Sequence, residues 1–274
     1  MSTVSRRAPA VAGQFYPRDP KRLNAMTQEY VDQSGVRPAP EQTVTIMVPH
    51  AGYIYSGPTA GFAYARVRGK QPKRVVLLGC SHRFNIETAS VFDAGEFDTP
   101  LGPFPIDIAF ASSLSHELDS DSVEPHMMEH SLEVQLPFLH TVLGSVPIVP
   151  VLFGSPPCDW HARAGQILAR MTDPGDLVVA STDLSHYLPE EAANRIDRRS
   201  LEAVLAKDWV SFAEAVEEGS CSMCGATAVV VAMSYSLACG ATAWSLLDYR
   251  TSAEVSRDFD RVVGYGAIAM ERAA

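Results

Sequence analysis

Four consecutive aliphatic residues, Val75–Leu78, broken at once by Gly79, constrain this chain more than any other stretch. A run that short and that uninterrupted predicts a strand buried on both faces, the kind found in a sheet with helices on either side. His82 follows within a few residues. Two further stretches repeat the layout: Thr43–His50 (TVTIMVPH) ends in His50, and Asp176–His186 (DLVVASTDLSH) ends in Asp183 and His186. Open α/β sheets collect their ligand sites at the carboxyl ends of strands. Three predicted strands therefore deliver imidazoles toward one sheet edge, which points to a metal site.

The remaining pattern fits an α/β chain. Asp19-Pro20 starts a helix, since Asp can cap and Pro suits the first helical position, and Leu23, Met26 and Tyr30 recur at helical spacing before Gly35. A helix is expected from near Pro58, burying Phe62, and further helices over 106–118, 161–171, within 189–218 and over 224–237. The helix carrying Leu132, Leu136 and Leu139 is expected to kink at Pro137. Strands are expected near 88–92, 147–153, 243–249 and 261–270, with a hairpin-like excursion over 96–105. Arg7–Pro17 reads as a turn-rich segment packed on the surface. No internal repeat or long linker divides the chain, so one domain over 1–274 is expected.

Bulk properties exclude several classes. A formal charge of −10 without a Lys/Arg run argues against nucleic acid as a partner. No apolar run reaches the roughly 18–20 residues that span a membrane. The N-terminus has two arginines but no long hydrophobic stretch behind them, so no secretory signal is expected. Five scattered cysteines are not a disulfide framework, and a cytoplasmic protein with reduced thiols is expected.

His50 and His82 stand out among eight histidines because each follows a buried strand and is flanked by chain-turning Gly or Pro. His116, His126, His140 and His161 lack that context and read as structural or exposed. Two neutral imidazoles can bind Fe, Zn or Cu, and an open site needs an anionic third ligand. Asp183 is one candidate, although it can instead orient an imidazole. Cys224 is the other, if its helix start points inward. Cys221 and Cys224 also form a CxxC, a weak redox signal when alone. His130 is a pocket candidate or part of a polar helix start; Tyr53 and Tyr55 are pocket walls or plain packing.

With these residues in view, the chain resembles the Memo family, whose bacterial and archaeal members are often called AmmeMemoRadiSam system protein B. The resemblance rests on RxPAVAGxFYP at 7–17, PHAGYIYSG at 49–57, LLGCSH at 77–82, EHSLEVQLPFL at 129–139, STDLSHY at 181–187 and Cys224-Gly225. It implies a class III extradiol dioxygenase-like fold, with a mixed central sheet sandwiched by helices. It also implies a metal triad of His50, His82 and Cys224, with Asp183 and His186 beside it. On that resemblance Fe(II) is the expected metal, with Cu or Zn as alternatives. If the site acts on a catechol, His186 is the general base and Asp183 orients it. The resemblance further implies a radical-SAM enzyme and a small companion domain as partners. A thiolate in place of the carboxylate of Fe(II) oxygenases leaves two readings open: a dioxygenase-like enzyme, or a metal-binding redox partner without turnover.

Overall fold

The computed structural model describes residues 6–120, 122–154 and 156–273. The first five residues, part of the stretch read for a leader, lie outside the described residues. In chain order the strands are β1 (Arg6–Arg7), β2 (Thr43–Val48), β3 (Val75–Cys80), β4 (Ala89–Val91), β5 (Glu96–Phe97), β6 (Phe104–Pro105), β7 (Ile148–Phe153), β8 (Leu177–Ser181), β9 (His186–Leu188), β10 (Ala241–Thr251) and β11 (Val262–Arg272). The helices are α1 (Pro20–Gln33), α2 (Tyr53–Arg66), α3 (Ile108–Glu117), α4 (Leu136–Leu143), α5 (Asp159–Met171), α6 (Glu190–Leu205), α7 (Trp209–Glu217), α8 (Ala226–Ala238) and α9 (Ala253–Ser256).

The main sheet runs β10-β11-β2-β8-β3-β7-β4, with β9 paired to β11. β2, β8, β3 and β7 are parallel neighbours, and antiparallel β4 and β11 flank them. Every residue of β2, β3, β7 and β8 is buried, which is why these segments are predominantly apolar, with the threonines of β2 and Ser181 of β8 buried as well. α8 packs on one face and is backed by α5; α2 packs on the other and is backed by α1 and α4. The result is a mixed α/β sandwich. No helix among the described residues is long and apolar enough to cross a membrane.

Three local expectations need correction. α2 begins at Tyr53, not near Pro58, and carries Pro58 inside it. Pro58 leaves the carbonyl of Ile54 without its helical donor, but Ile54 is solvent-exposed and water can serve there. Phe62 is only half-buried, whereas Tyr64 is the largest side chain that the helix buries fully. Pro137 opens α4 rather than kinking it, behind a 3₁₀ turn at Glu133–Gln135.

The segment over 7–17 does pack on the surface, but it is anchored into the interior through Arg7, Ala12 and Tyr16. Arg7 is fully buried, with Nη1 donating to Glu133 Oε2 at 2.8 Å, Nε to the His126 carbonyl at 2.6 Å, and Nη2 to the Glu129 carbonyl. The Glu133 carboxylate also accepts from Ala10 N, Val11 N and the Tyr16 hydroxyl at 2.7–2.9 Å. Four donors on one carboxylate explain how a buried ion pair is tolerated here.

Candidate metal centre

β2, β8 and β3 are adjacent and parallel, so the residues just beyond them meet at one edge. His50 lies two residues past β2, Asp183 two past β8 and His82 two past β3. α8 starts beside them: a Cβ on Gly225 would lie 2.5 Å from the Ser181 carbonyl, so only glycine lets the backbone after Cys224 come this close. Cys224 does not sit in the helix but just before it, with its N–H donating to the Asp183 carbonyl at 3.2 Å.

Four side chains converge there. One donor atom from each of His50, Cys80, His82 and Cys224 lies within 4.8 Å of all the others. Cys224 Sγ is 3.2 Å from His50 Nε2 and accepts from Asp183 N at 3.2 Å. His50 Nδ1 is engaged by Ser181 Oγ at 3.0 Å, and His82 Nδ1 by Glu129 Oε1 at 2.9 Å. Both imidazoles therefore present Nε2 to the centre, each oriented by an outer partner as in metal sites.

Asp183, the alternative third ligand, is not in the converging group. Its carboxylate accepts from His50 N at 2.7 Å and stands 4.0 Å from His50 Nε2, so it ties β2 to β8 and faces the ring. His130 stacks on His82 with centroids 4.5 Å apart and also packs, tilted, on Phe15 at 4.8 Å. His186, on β9, lines the same concavity as His50, His82, His130 and Asp183, a space of about 360 Å³. Cys224 lines a separate concavity of about 400 Å³ with Pro156, Pro157 and Met223.

The remaining candidates fall elsewhere. Cys221 is a free thiol in a core cluster with Leu201 and Phe212, outside the converging donors. Tyr53 is buried, donating to the Val134 carbonyl and packed on Phe138 at 5.0 Å; it is core. Tyr55 lines a groove with Arg18 and Arg22 that shares Phe15 and Gly52 with the histidine concavity but none of its histidines. His126 is fully buried, bonded through Nε2 to the Ser90 carbonyl. Two residues escaped the sequence reading: Cys80, two positions before His82, and Glu129, which holds His82 through backbone and ring. The C-x-H spacing at a strand end was the available signal, because residues i and i+2 share a face.

The electrostatics favour a cation. A hydrogen bond from Cys80 and the two neighbouring imidazoles hold the Cys224 thiol well below its ordinary value, against its burial. Burial would lower His50, but Cys224 and Asp183 raise it to about 9; burial likewise opposes, and Cys224 and Glu129 outweigh it, in raising His82 to about 10. Positive charge on the two imidazoles is thus favoured by Cys224 and Glu129, while burial pushes the Asp183 carboxyl up. Burial, reinforced by His50, pushes His130 down to about 4. A soft thiolate, two imidazoles whose Nε2 atoms face it and this field suit a transition metal ion.

A profile of the Memo-like protein family matches residues 7–269. The MEMO1 family protein of Methanopyrus kandleri is 37% identical, covering 97% of this chain and 99% of its own. Those of Archaeoglobus fulgidus and Methanobrevibacter smithii are 37% and 35% identical, covering 96% and 95% of this chain and 98% of each of theirs. On a match of this extent, running through every element that builds the donor group, the chain belongs to the Memo-like protein family.

Proposed function

We propose that His50, His82 and Cys224 hold one transition metal ion, Fe(II) first and Cu or Zn as alternatives. We further propose that the adjoining concavity admits a small metal-chelating substrate, catechol-like in its donor atoms, for oxygenase-type chemistry. The observation that carries this reading is the grouping of His130, His186 and Asp183 around a space of about 360 Å³ that reaches both ligand imidazoles. A bound ion would supply Lewis-acid activation and, if redox-active, electron exchange with O₂.

The chain's own groups do the rest. Phe15 and His130 form one wall and position a flat substrate, and His186 accepts the proton of a substrate hydroxyl. Asp183 holds His50 in place by its backbone and faces the same space.

A second reading is supported by the thiolate itself, which is softer and more oxidisable than a carboxylate. On it the protein is a metal-binding redox partner, working beside a radical-SAM enzyme and a small companion domain. Protein purified without air, analysed for metal and then screened for O₂ uptake with a catechol panel, separates the two. Stoichiometric iron with uptake that His186→Ala abolishes supports the enzyme. Stoichiometric metal with no uptake supports the partner protein, and no bound metal removes both.

A further inference from the structure

Cys80 ends β3, and its thiol stands inside the donor group. Its Sγ is 3.7 Å from His82 Nε2 and 3.9 Å from His82 Nδ1, and it lies within 4.8 Å of the donors of His50 and Cys224. Ligands at about 2.0–2.3 Å on a tetrahedral ion stand roughly 3.3–3.8 Å from one another. The Cys80–His82 and Cys224–His50 spacings of 3.7 and 3.2 Å are close to those of neighbouring ligands.

A buried cysteine is often only a small hydrophobe. Packing alone accounts for the burial of Cys80, but not for a second sulfur aimed among two imidazoles and a thiolate. The position is also tightly set. Ser131 Oγ donates to the Cys80 carbonyl at 2.9 Å, and a Cβ on the preceding Gly79 would lie 2.8 Å from that same Oγ. The strand end is thus held flush against the 129–132 segment that orients His82.

We propose that Cys80 is a fourth protein ligand, giving a centre of two thiolates and two imidazoles. This rests on the reading that His50, His82 and Cys224 hold a metal, and it moves the choice of metal from Fe(II) to the Zn(II) and Cu alternatives. A tetrahedral S₂N₂ set selects Zn(II) or Cu(I) over harder ions. It also changes what the site can do, because four protein ligands close a four-coordinate ion whereas three leave a position open. Cys80 is then the residue that separates a closed holding site from an open reactive one.

The test counts sulfurs. Reduced, metal-free protein is loaded anaerobically with Zn(II) for X-ray absorption, and with Co(II) for its sulfur-to-metal charge-transfer band. The expected result is two sulfurs at about 2.3 Å per ion in the wild type. The cobalt band should be halved in Cys80→Ser and in Cys224→Ser, and unchanged in Cys221→Ser. Zn(II) affinity of Cys80→Ser should fall by more than the roughly 10–100-fold typical of losing an outer partner. One sulfur in the wild type, or a full band in Cys80→Ser, overturns the proposal while leaving the three-ligand site standing. Absence of stoichiometric metal in the wild type, or a full band in Cys224→Ser, overturns the three-ligand reading and this proposal with it. The sulfur count is made on the unmutated chain, so a misfolded variant cannot protect the idea.

Discussion

Glu129→Gln changes one atom, and four hydrogen bonds depend on it. Oε1 accepts from His82 Nδ1, His130 N and Ser131 N at 2.8–2.9 Å, and Oε2 accepts from His82 N at 2.7 Å. An amide keeps one acceptor. With its oxygen toward the three donors, its NH₂ confronts the His82 N–H; the reverse placement orphans three donors instead. One buried donor left unpaired costs about 1–3 kcal/mol, and the other bonds drop from charge-assisted to neutral strength. The metal-free variant should therefore lose about 3 kcal/mol of stability by the same bookkeeping.

Proton linkage gives a similar size. Burial alone would raise Glu129, but the His82 ring and the backbone donors hold it at about 2, below the ordinary 4.5. That difference corresponds to about 3 kcal/mol of stability, fully present above pH 4.5 and lost as pH falls toward 2. The weaker acceptor on His82 Nδ1 should also cut metal affinity about 10–100-fold. Urea unfolding of both metal-free proteins at pH 7, with Zn(II) titration by calorimetry, measures the two effects. A variant within about 0.5 kcal/mol of wild type and with unchanged affinity would refute the role assigned to Glu129.

Gly225→Ala should cost about 1–3 kcal/mol and lower metal occupancy, because the added methyl meets the Ser181 carbonyl at 2.5 Å and displaces Cys224; melting curves with metal analysis check both. Arg7→Met leaves Glu133 buried without its cation and should destabilise by about 3–5 kcal/mol in urea; a loss below about 1 kcal/mol contradicts the anchoring role. His126 is pushed down to about 3 by burial, with Arg7 nearby and no partner on Nδ1. Its contribution is full above about pH 6.5 and declines by about 1.4 kcal/mol per pH unit toward 3, so His126→Gln should flatten stability by one proton's slope across pH 4–6.

The three site-bearing strands are legible because burial on both faces makes them mostly apolar, and their ends are marked by His50, His82 and Asp183. Cys224 and Asp183 were both third-ligand options in the residues, and the family resemblance implied Cys224; in the fold the Cys224 sulfur, and not the Asp183 carboxylate, joins the converging donors, with Gly225 letting the backbone approach Ser181. Glu129 and Arg7 were not legible as a buried carboxylate and a buried cation. Each becomes tolerable through partners far along the chain, 47 residues away for Glu129 and His82 and 126 for Arg7 and Glu133. No local pattern records such pairs. β9 escaped notice because it is three residues long, with only two of them registered to β11.

The strand order also sets a timetable for biosynthesis. β2 and β3 emerge early but are not partners: β8 inserts between them, and β11 closes the far side of β2. A growing chain that has made His50, Cys80 and His82 carries them on strands with open edges until those later segments arrive, and such edges recruit other chains. Cys224 comes 174 residues after the imidazole it touches. A ribosome stalled before that point holds an incomplete donor set, so on the proposed metal reading capture with the full set would belong to the finished polypeptide, after slow long-range pairing. Expression under metal limitation should then leave a folded, loadable apoprotein rather than a trapped nascent chain.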